Sequence, residues 1–175
     1  ICWAIKNSKF CKNLYCIPGN GGIAEIADCK KLDINNKIAI LSFCKKKKIN
    51  LVVVGPEDLL EQGIVDFFIN HKIKIFGPSK KGAKLETSKK FAKNFMKRNG
   101  IPSASYNCFS SLEASKYFIS KSTPPYVIKV NGLAAGKGVI ISKTKNEAYQ
   151  TLKRIFNDRM FGKAGNTILI EDFLK

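Results

Sequence analysis

The stretch PYVIKVNGLAAGKGVIIS, residues 125–142, constrains the fold more tightly than any other part of the chain, because two apolar runs flank a loop holding three glycines and a lysine. β-Branched and aromatic residues at Tyr126, Val127, Ile128 and Val130, and again from Val139 to Ile141, favour extended backbone. Between them Gly132, Gly136 and Gly138 let the chain turn tightly and keep side chains clear of an approaching ligand. Lys129 at the end of the first run and Lys137 inside the loop add point charges beside exposed backbone N–H groups, a combination suited to gripping polyphosphate. The stretch reads as strand, flap, strand, and its two lysines point to ATP. The competing interpretation is an ordinary glycine-rich hairpin.

A P-loop is excluded. That motif needs G-x-x-x-x-G-K-[ST] running into a helix. Here three residues separate Gly132 from Gly136, Gly138 stands where a metal-binding hydroxyl belongs, and a β-branched run follows.

At 175 residues the chain has room for one good-sized domain or two small ones, and 45% hydrophobic residues mark it as globular. No apolar run approaches the ~20 residues that span a bilayer, and the opening ICWAIKNSKF lacks the pattern of a signal peptide. Six cysteines without a C-x-x-C pair, beside a single histidine, His71, argue against a zinc site and fit reduced thiols in a cytoplasmic protein. The net charge of +18 raises nucleic-acid binding. Against it, the lysines are spread along the chain, Lys45 to Lys48 suit a helix C-terminus, and arginine occurs only at Arg98, Arg154 and Arg159.

In order, the pattern predicts a strand over 14–17 ending in a turn at Pro18 to Gly22, a helix over 34–43, and a strand over 51–54 buried on both faces. A helix over 58–70 and a strand over 73–76 complete a β-α-β-α series, which implies a parallel sheet. Both strands stop at Gly-Pro, at Gly55-Pro56-Glu57 and Gly77-Pro78-Ser79, on the carboxyl edge where open α/β sheets bind ligands. Glu57 there either holds a polar ligand or caps the next helix. A long helix is expected over 84–99, then a strand over 105–110, a helix over 112–120, the flap hairpin, a helix over 147–157 with Leu152, Ile155 and Phe156 inward, and a strand over 167–170. The boundary between two domains is placed near residue 88.

Taken in order, VVVGPE at 52–57, KIFGPS at 74–79, LETSK at 85–89, GIP at 100–102, YVIKVNGLAAGKGVI at 126–140 and LIEDFL at 169–174 resemble phosphoribosylamine–glycine ligase, the glycinamide ribonucleotide synthetase family of ATP-grasp enzymes. The resemblance covers essentially the whole chain, and NGLAAGKGVI is its most specific part. It implies an α/β fold in which a partial parallel-sheet, Rossmann-like domain (1–87) binds substrate and precedes the small lid subdomain of an ATP-grasp fold (88–175).

It also implies a reaction in purine biosynthesis. ATP phosphorylates the carboxylate of glycine, and the amine of 5-phosphoribosylamine attacks the acyl phosphate to give the amide. By motif, Lys89 and Lys129 would contact ATP phosphates under a flap comprising Gly132, Ala134, Ala135, Gly136, Lys137 and Gly138. Glu171, Asp172, Phe173 and Leu174 would form the adenine hinge, with Glu171 offering its carbonyl and Leu174 its amide. Gly55, Pro56 and Glu57 would face phosphoribosylamine. The cofactors implied are ATP and Mg2+ or Mn2+, with metal ligands expected downstream of Lys175 and none within these residues. No nucleophilic side chain is required, since positioning, charge neutralisation and exclusion of water dominate such chemistry.

Relative to this family the chain starts after the first strand and its Gly-Asn-Gly-Gly-Arg-Glu-His loop, and stops where the larger ATP-grasp half begins. The expectation is a fragment inactive by itself, from a protein that is monomeric when complete. Two alternatives stay open: another ATP-grasp carboxylate–amine ligase or carboxylase subunit, and a non-enzymatic basic nucleic-acid-binding protein.

Overall fold

The computed structural model describes residues 1–174 and divides the chain into two compact units, Ile1–Lys81 and Gly82–Lys175. The first unit holds α1 (Cys2–Lys6), β1 (Tyr15–Cys16), α2 (Gly21–Ala24), β2 (Asp28–Cys29), α3 (Lys37–Lys46), β3 (Val52–Val53), α4 (Glu57–Glu61), α5 (Ile64–Asn70) and β4 (Ile75–Phe76). Strands β3 and β4 run parallel, with Val52 opposite Ile75 and Val53 opposite Phe76, as the alternating pattern requires. A second parallel ladder joins β1 to β2. The core gathers Ile40, Leu41 and Cys44 from α3, Leu59 from α4, and Ile64, Val65 and Phe68 from α5.

Three expectations need correction here. Residues 51–54 are not buried on both faces: Leu51 is 55% exposed and Val52 and Val53 are half-buried, because β3 has a single ladder partner among the described residues. The helix expected over 58–70 is two, α4 and α5, broken where Gly63 takes a left-handed φ of +76°. Finally, Gly21 and Gly22 open α2 rather than complete a turn, since Asn20 Oδ1 accepts the Ile23 N–H at 3.0 Å and so caps the helix.

Helix α6 (Lys80–Thr87) carries the chain from the first unit into the second, followed by α7 (Lys89–Arg98). The single helix expected over 84–99 is thus interrupted at Ser88, which is extended (φ −132°, ψ 104°) and caps α7 by accepting the Phe91 N–H. Then come β5 (Tyr106–Phe109), α8 (Leu112–Lys121), β6 (Tyr126–Val130), β7 (Val139–Ser142), α9 (Lys145–Phe156), a 3-10 turn over Gly162–Asn166, and β8 (Ile168–Asp172). The strands form one antiparallel sheet in the order β5-β8-β6-β7.

One face of this sheet is apolar. Tyr126, Ile128 and Val130 of β6 and Ile168 and Ile170 of β8 pack with Ile119 of α8 and Ala148, Leu152 and Ile155 of α9, and Phe156 joins them at the margin. Each fully buried aliphatic side chain here contributes roughly 1.5–3 kcal/mol. The 3-10 turn has no counterpart in the sequence pattern. It lies so close to α9 that a Cβ on Gly165 would stand 3.1 Å from Ile155 Cγ2.

Candidate functional site

Strand alternation sends Val127 and Lys129 to the face opposite the apolar core, and Glu171, paired with Val127, projects from β8 on that same face. Lys129, two residues beyond Val127, therefore meets Glu171 diagonally, and its Nζ donates to Glu171 Oε2 at 2.9 Å. Helix α7 brings a second cation to the same oxygen: Lys93 Nζ lies 3.0 Å from Oε2. Lys93 also donates to Ser103 Oγ at 2.6 Å and to the Ala104 carbonyl at 3.0 Å. The side chains of Lys93 and Glu171 are 8% and 4% exposed, whereas Lys129 keeps 26% of its surface open. Glu171 Oε1 is buried and has no hydrogen-bond partner among the described residues.

The break at Ser88 puts Lys89 at the first position of α7, where a cation sits at the unfavourable end of the helix dipole. Burial pushes the Lys89 ammonium below the ordinary lysine range; Lys129 adds to this, and Glu86 and Glu171 oppose it. Its Nζ donates to the Gly132 carbonyl at 3.4 Å. Asn131 ties this helix end to the hairpin: Oδ1 accepts from Ser88 Oγ at 3.1 Å and from the Lys90 N–H at 2.8 Å, and its carbonyl accepts the Lys89 N–H at 3.1 Å. Three lysines and one carboxylate thus leave an excess of positive charge beside the base of the flap.

The flap joins β6 to β7 as the hairpin expected from the sequence, closed by a bond from Val130 N–H to the Gly138 carbonyl at 2.9 Å. Its tip is a tight turn in which the Lys137 N–H reaches the Ala134 carbonyl, with Ala135 and Gly136 both left-handed at φ +47° and +79°. That is the mirror-image turn whose twist matches antiparallel strands. Gly138 is required for space, since a Cβ there would lie 2.7 Å from both Ala134 Cβ and Val130 Cγ2. Ala135, Gly136 and Lys137 are exposed.

Glu171 and Asp172 lie within β8, one turn of the ladder later than the strand end expected at residue 170. The Asp172 N–H donates to the Ser105 carbonyl at 3.0 Å, so ladder alternation turns the backbone N–H and C=O of Glu171 the other way, to Val127 of β6. The expected hinge acceptor, the Glu171 carbonyl, thus faces the β6 ladder, while Asp172 turns towards the β5 side. Asp172, Phe173 and Leu174 are exposed. In the first unit, Gly55, Pro56 and Glu57 are also exposed at the carboxyl end of β3, on the same edge as Gly77 because β3 and β4 are parallel. Glu57 opens α4 with no side-chain cap from Pro56.

Lys89, Lys129, Gly132 and Glu171 come together. Lys93, Asn131 and Ser88 join them without having been picked out from the sequence. Ser88 carried a usable signal, a cap-type residue before a run of helix formers. Lys93 carried a weak one, since it follows Lys89 by one helical turn, but a lysine in a lysine-rich helix reads as solvated.

The family description "Phosphoribosylglycinamide synthetase, N domain" matches residues 1–86, and "Phosphoribosylglycinamide synthetase, ATP-grasp (A) domain" matches residues 87–175. The chain is 44% identical over 174 residues to the phosphoribosylamine–glycine ligase of Mesorhizobium japonicum, covering 99% of this chain and 41% of that protein. It is 42% identical over 177 residues to the human trifunctional purine biosynthetic protein adenosine-3, covering 99% of this chain and 18% of that one. The crystal structure of the Thermotoga maritima phosphoribosylamine–glycine ligase superposes with a TM-score of 0.76 at 28% identity, over 99% of this chain and 40% of that one. A biotin carboxylase domain from Hydrogenobacter thermophilus shares the fold, with a TM-score of 0.73 at 18% identity over 93% of this chain and 38% of that one. The chain spans about two fifths of the length of the bacterial ligases it matches. With both of its units matched in order, the chain belongs to the phosphoribosylglycinamide synthetase family and has the N-terminal and lid portions of an ATP-grasp fold.

Proposed function

We propose that the protein carrying this chain is an ATP-dependent ligase that joins glycine to 5-phosphoribosylamine through a glycyl phosphate, releasing ADP and phosphate in purine biosynthesis. The observation that carries this is the placement of Lys89 and Lys129 at the base of a glycine flap, within a chain matched from end to end by one ligase family. The division of labour runs 1–87 for substrate and 88–175 for the lid. Lys89 and Lys129 bind phosphate oxygens, and Gly132, Ala134, Ala135, Gly136, Lys137 and Gly138 fold over them. Desolvation lowers the pKa of the Lys89 ammonium, and an anion bound beside it would favour its charged form.

The adenine hinge is the run from Glu171 to Leu174. On the ladder geometry its acceptor is the Asp172 carbonyl and its donor the Leu174 N–H. Gly55, Pro56 and Glu57 contact phosphoribosylamine at the carboxyl edge of β3. ATP supplies the phosphoryl group when bound, and the residues here orient it and exclude water. The ligands of Mg2+ or Mn2+ are proposed to lie downstream of Lys175 in the whole protein, and no step is assigned to the metal. The complete protein is taken to be a monomer of the cytoplasm.

The test is ADP release by the intact gene product with ATP, glycine and 5-phosphoribosylamine, each omitted in turn. ADP formation dependent on both glycine and the amine supports the reading. Turnover driven by bicarbonate or another carboxylate in place of glycine overturns it.

A further inference from the structure

Outside the flap and hinge, the most constrained polar group in the molecule is Lys93. All three of its N–H donors are taken, by Glu171 Oε2, Ser103 Oγ and the Ala104 carbonyl, so it is a fixed, buried cation with nothing left for a ligand. Lys129 differs: it donates to the same carboxylate oxygen, and a quarter of its surface is open. A lone carboxylate beside Lys129 would cancel its charge. With Lys93 on the same oxygen, the three groups together keep one positive charge, and the exposed member of the three is Lys129.

We infer that Lys93 is a positioning residue that neutralises Glu171 from behind and thereby leaves the charge of Lys129 available for the anionic part of the nucleotide. Lys93 touches no ligand itself. It acts through Glu171, which it also fixes to the segment 103–104 ahead of β5. This inference rests on the proposed nucleotide role of Lys129.

The experiment compares ADP and adenosine binding to the intact gene product by calorimetry, in wild type, Lys93→Met, Glu171→Gln and the double variant. Lys93→Met is expected to weaken ADP binding roughly tenfold, the scale of one partly screened charge contact, while adenosine affinity stays within about twofold. In the Glu171→Gln background, with no carboxylate to recapture Lys129, the Lys93→Met effect on ADP should disappear. Equal losses for ADP and adenosine, or losses that simply add in the double variant, would mean a purely structural lysine and overturn the inference. Wild-type protein that binds neither molecule would instead count against the nucleotide site itself, so the two failures are separable.

Discussion

Asn131 Oδ1 accepts the backbone N–H of Lys90 at 2.8 Å, which stitches the residue before the flap to the first turn of α7. The same oxygen holds Ser88 Oγ, so one side chain fixes both the helix cap and the height of Lys89 above the hairpin. Asn131→Ala should therefore cost about 2 kcal/mol through stranded donors, and Ser88→Ala about 1 kcal/mol through the lost cap. Urea unfolding of the two variants checks the order. A larger loss for Ser88→Ala would show that the cap, not the link to the flap, dominates.

Glu171 is the counter-charge for two lysines, one of them buried. Removing it leaves the Lys93 ammonium without its anion in a site 8% exposed, and Glu171→Ala is expected to destabilise the second unit by about 3 kcal/mol. Glu171→Gln should cost less, because an amide oxygen can still accept from Lys93. Chemical denaturation monitored in the second unit distinguishes them.

The flap glycines are needed for different reasons. At Gly136 nothing lies within 4 Å of an added Cβ, so only the left-handed backbone matters: Gly136→Asn should fall within about 0.5 kcal/mol of wild type and Gly136→Val should lose more than about 1 kcal/mol. At Gly138 space is the constraint, and Gly138→Ala alone should cost about 1–3 kcal/mol by pushing Ala134 from Val130. If Gly138→Ala leaves both stability and nucleotide affinity unchanged, the space at Gly138 does not constrain the flap.

Lys89 gives a pH dependence of known sign. Its folded-state pKa is depressed by burial, so between that value and the ordinary lysine value the unfolded chain binds more protons, and stability rises with pH across that window. Below the window the cost of burying the ammonium is fully present. Relative to Lys89→Met, wild type should gain stability as pH is raised from neutral towards the ordinary lysine value, and bound ADP should diminish that gain by raising the pKa. Parallel stability–pH curves for the two proteins would rule this out.

Most elements of the fold were legible because their signals are local. The β6–β7 hairpin followed from β-branched runs around glycines, and the inward face of α9 from its spacing. Two helix breaks, at Gly63 and Ser88, were missed: a periodic pattern continues through a single residue whose φ or cap interrupts the helix. The candidate site was half legible. Lys89, Lys129, Asn131 and the flap sit in motifs, whereas the partners of Lys93 and Asn131, Glu171 and Ser88, lie 78 and 43 residues away in sequence, and no spacing rule reaches that far. The direction of each hinge carbonyl was not legible, because it depends on ladder register.

The place of β8 in the sheet bears on how the second unit is made. Of the four described strands of this sheet it comes last in chain order, yet it lies between β5 and β6. As the ribosome extends the chain, β5 and β6 therefore emerge without their shared neighbour, with unpaired edges that invite pairing to other chains. The sheet can close only after residue 172 has left the exit tunnel, so a nascent chain paused before β8 emerges holds a β5 and a β6–β7 hairpin with nothing to join them.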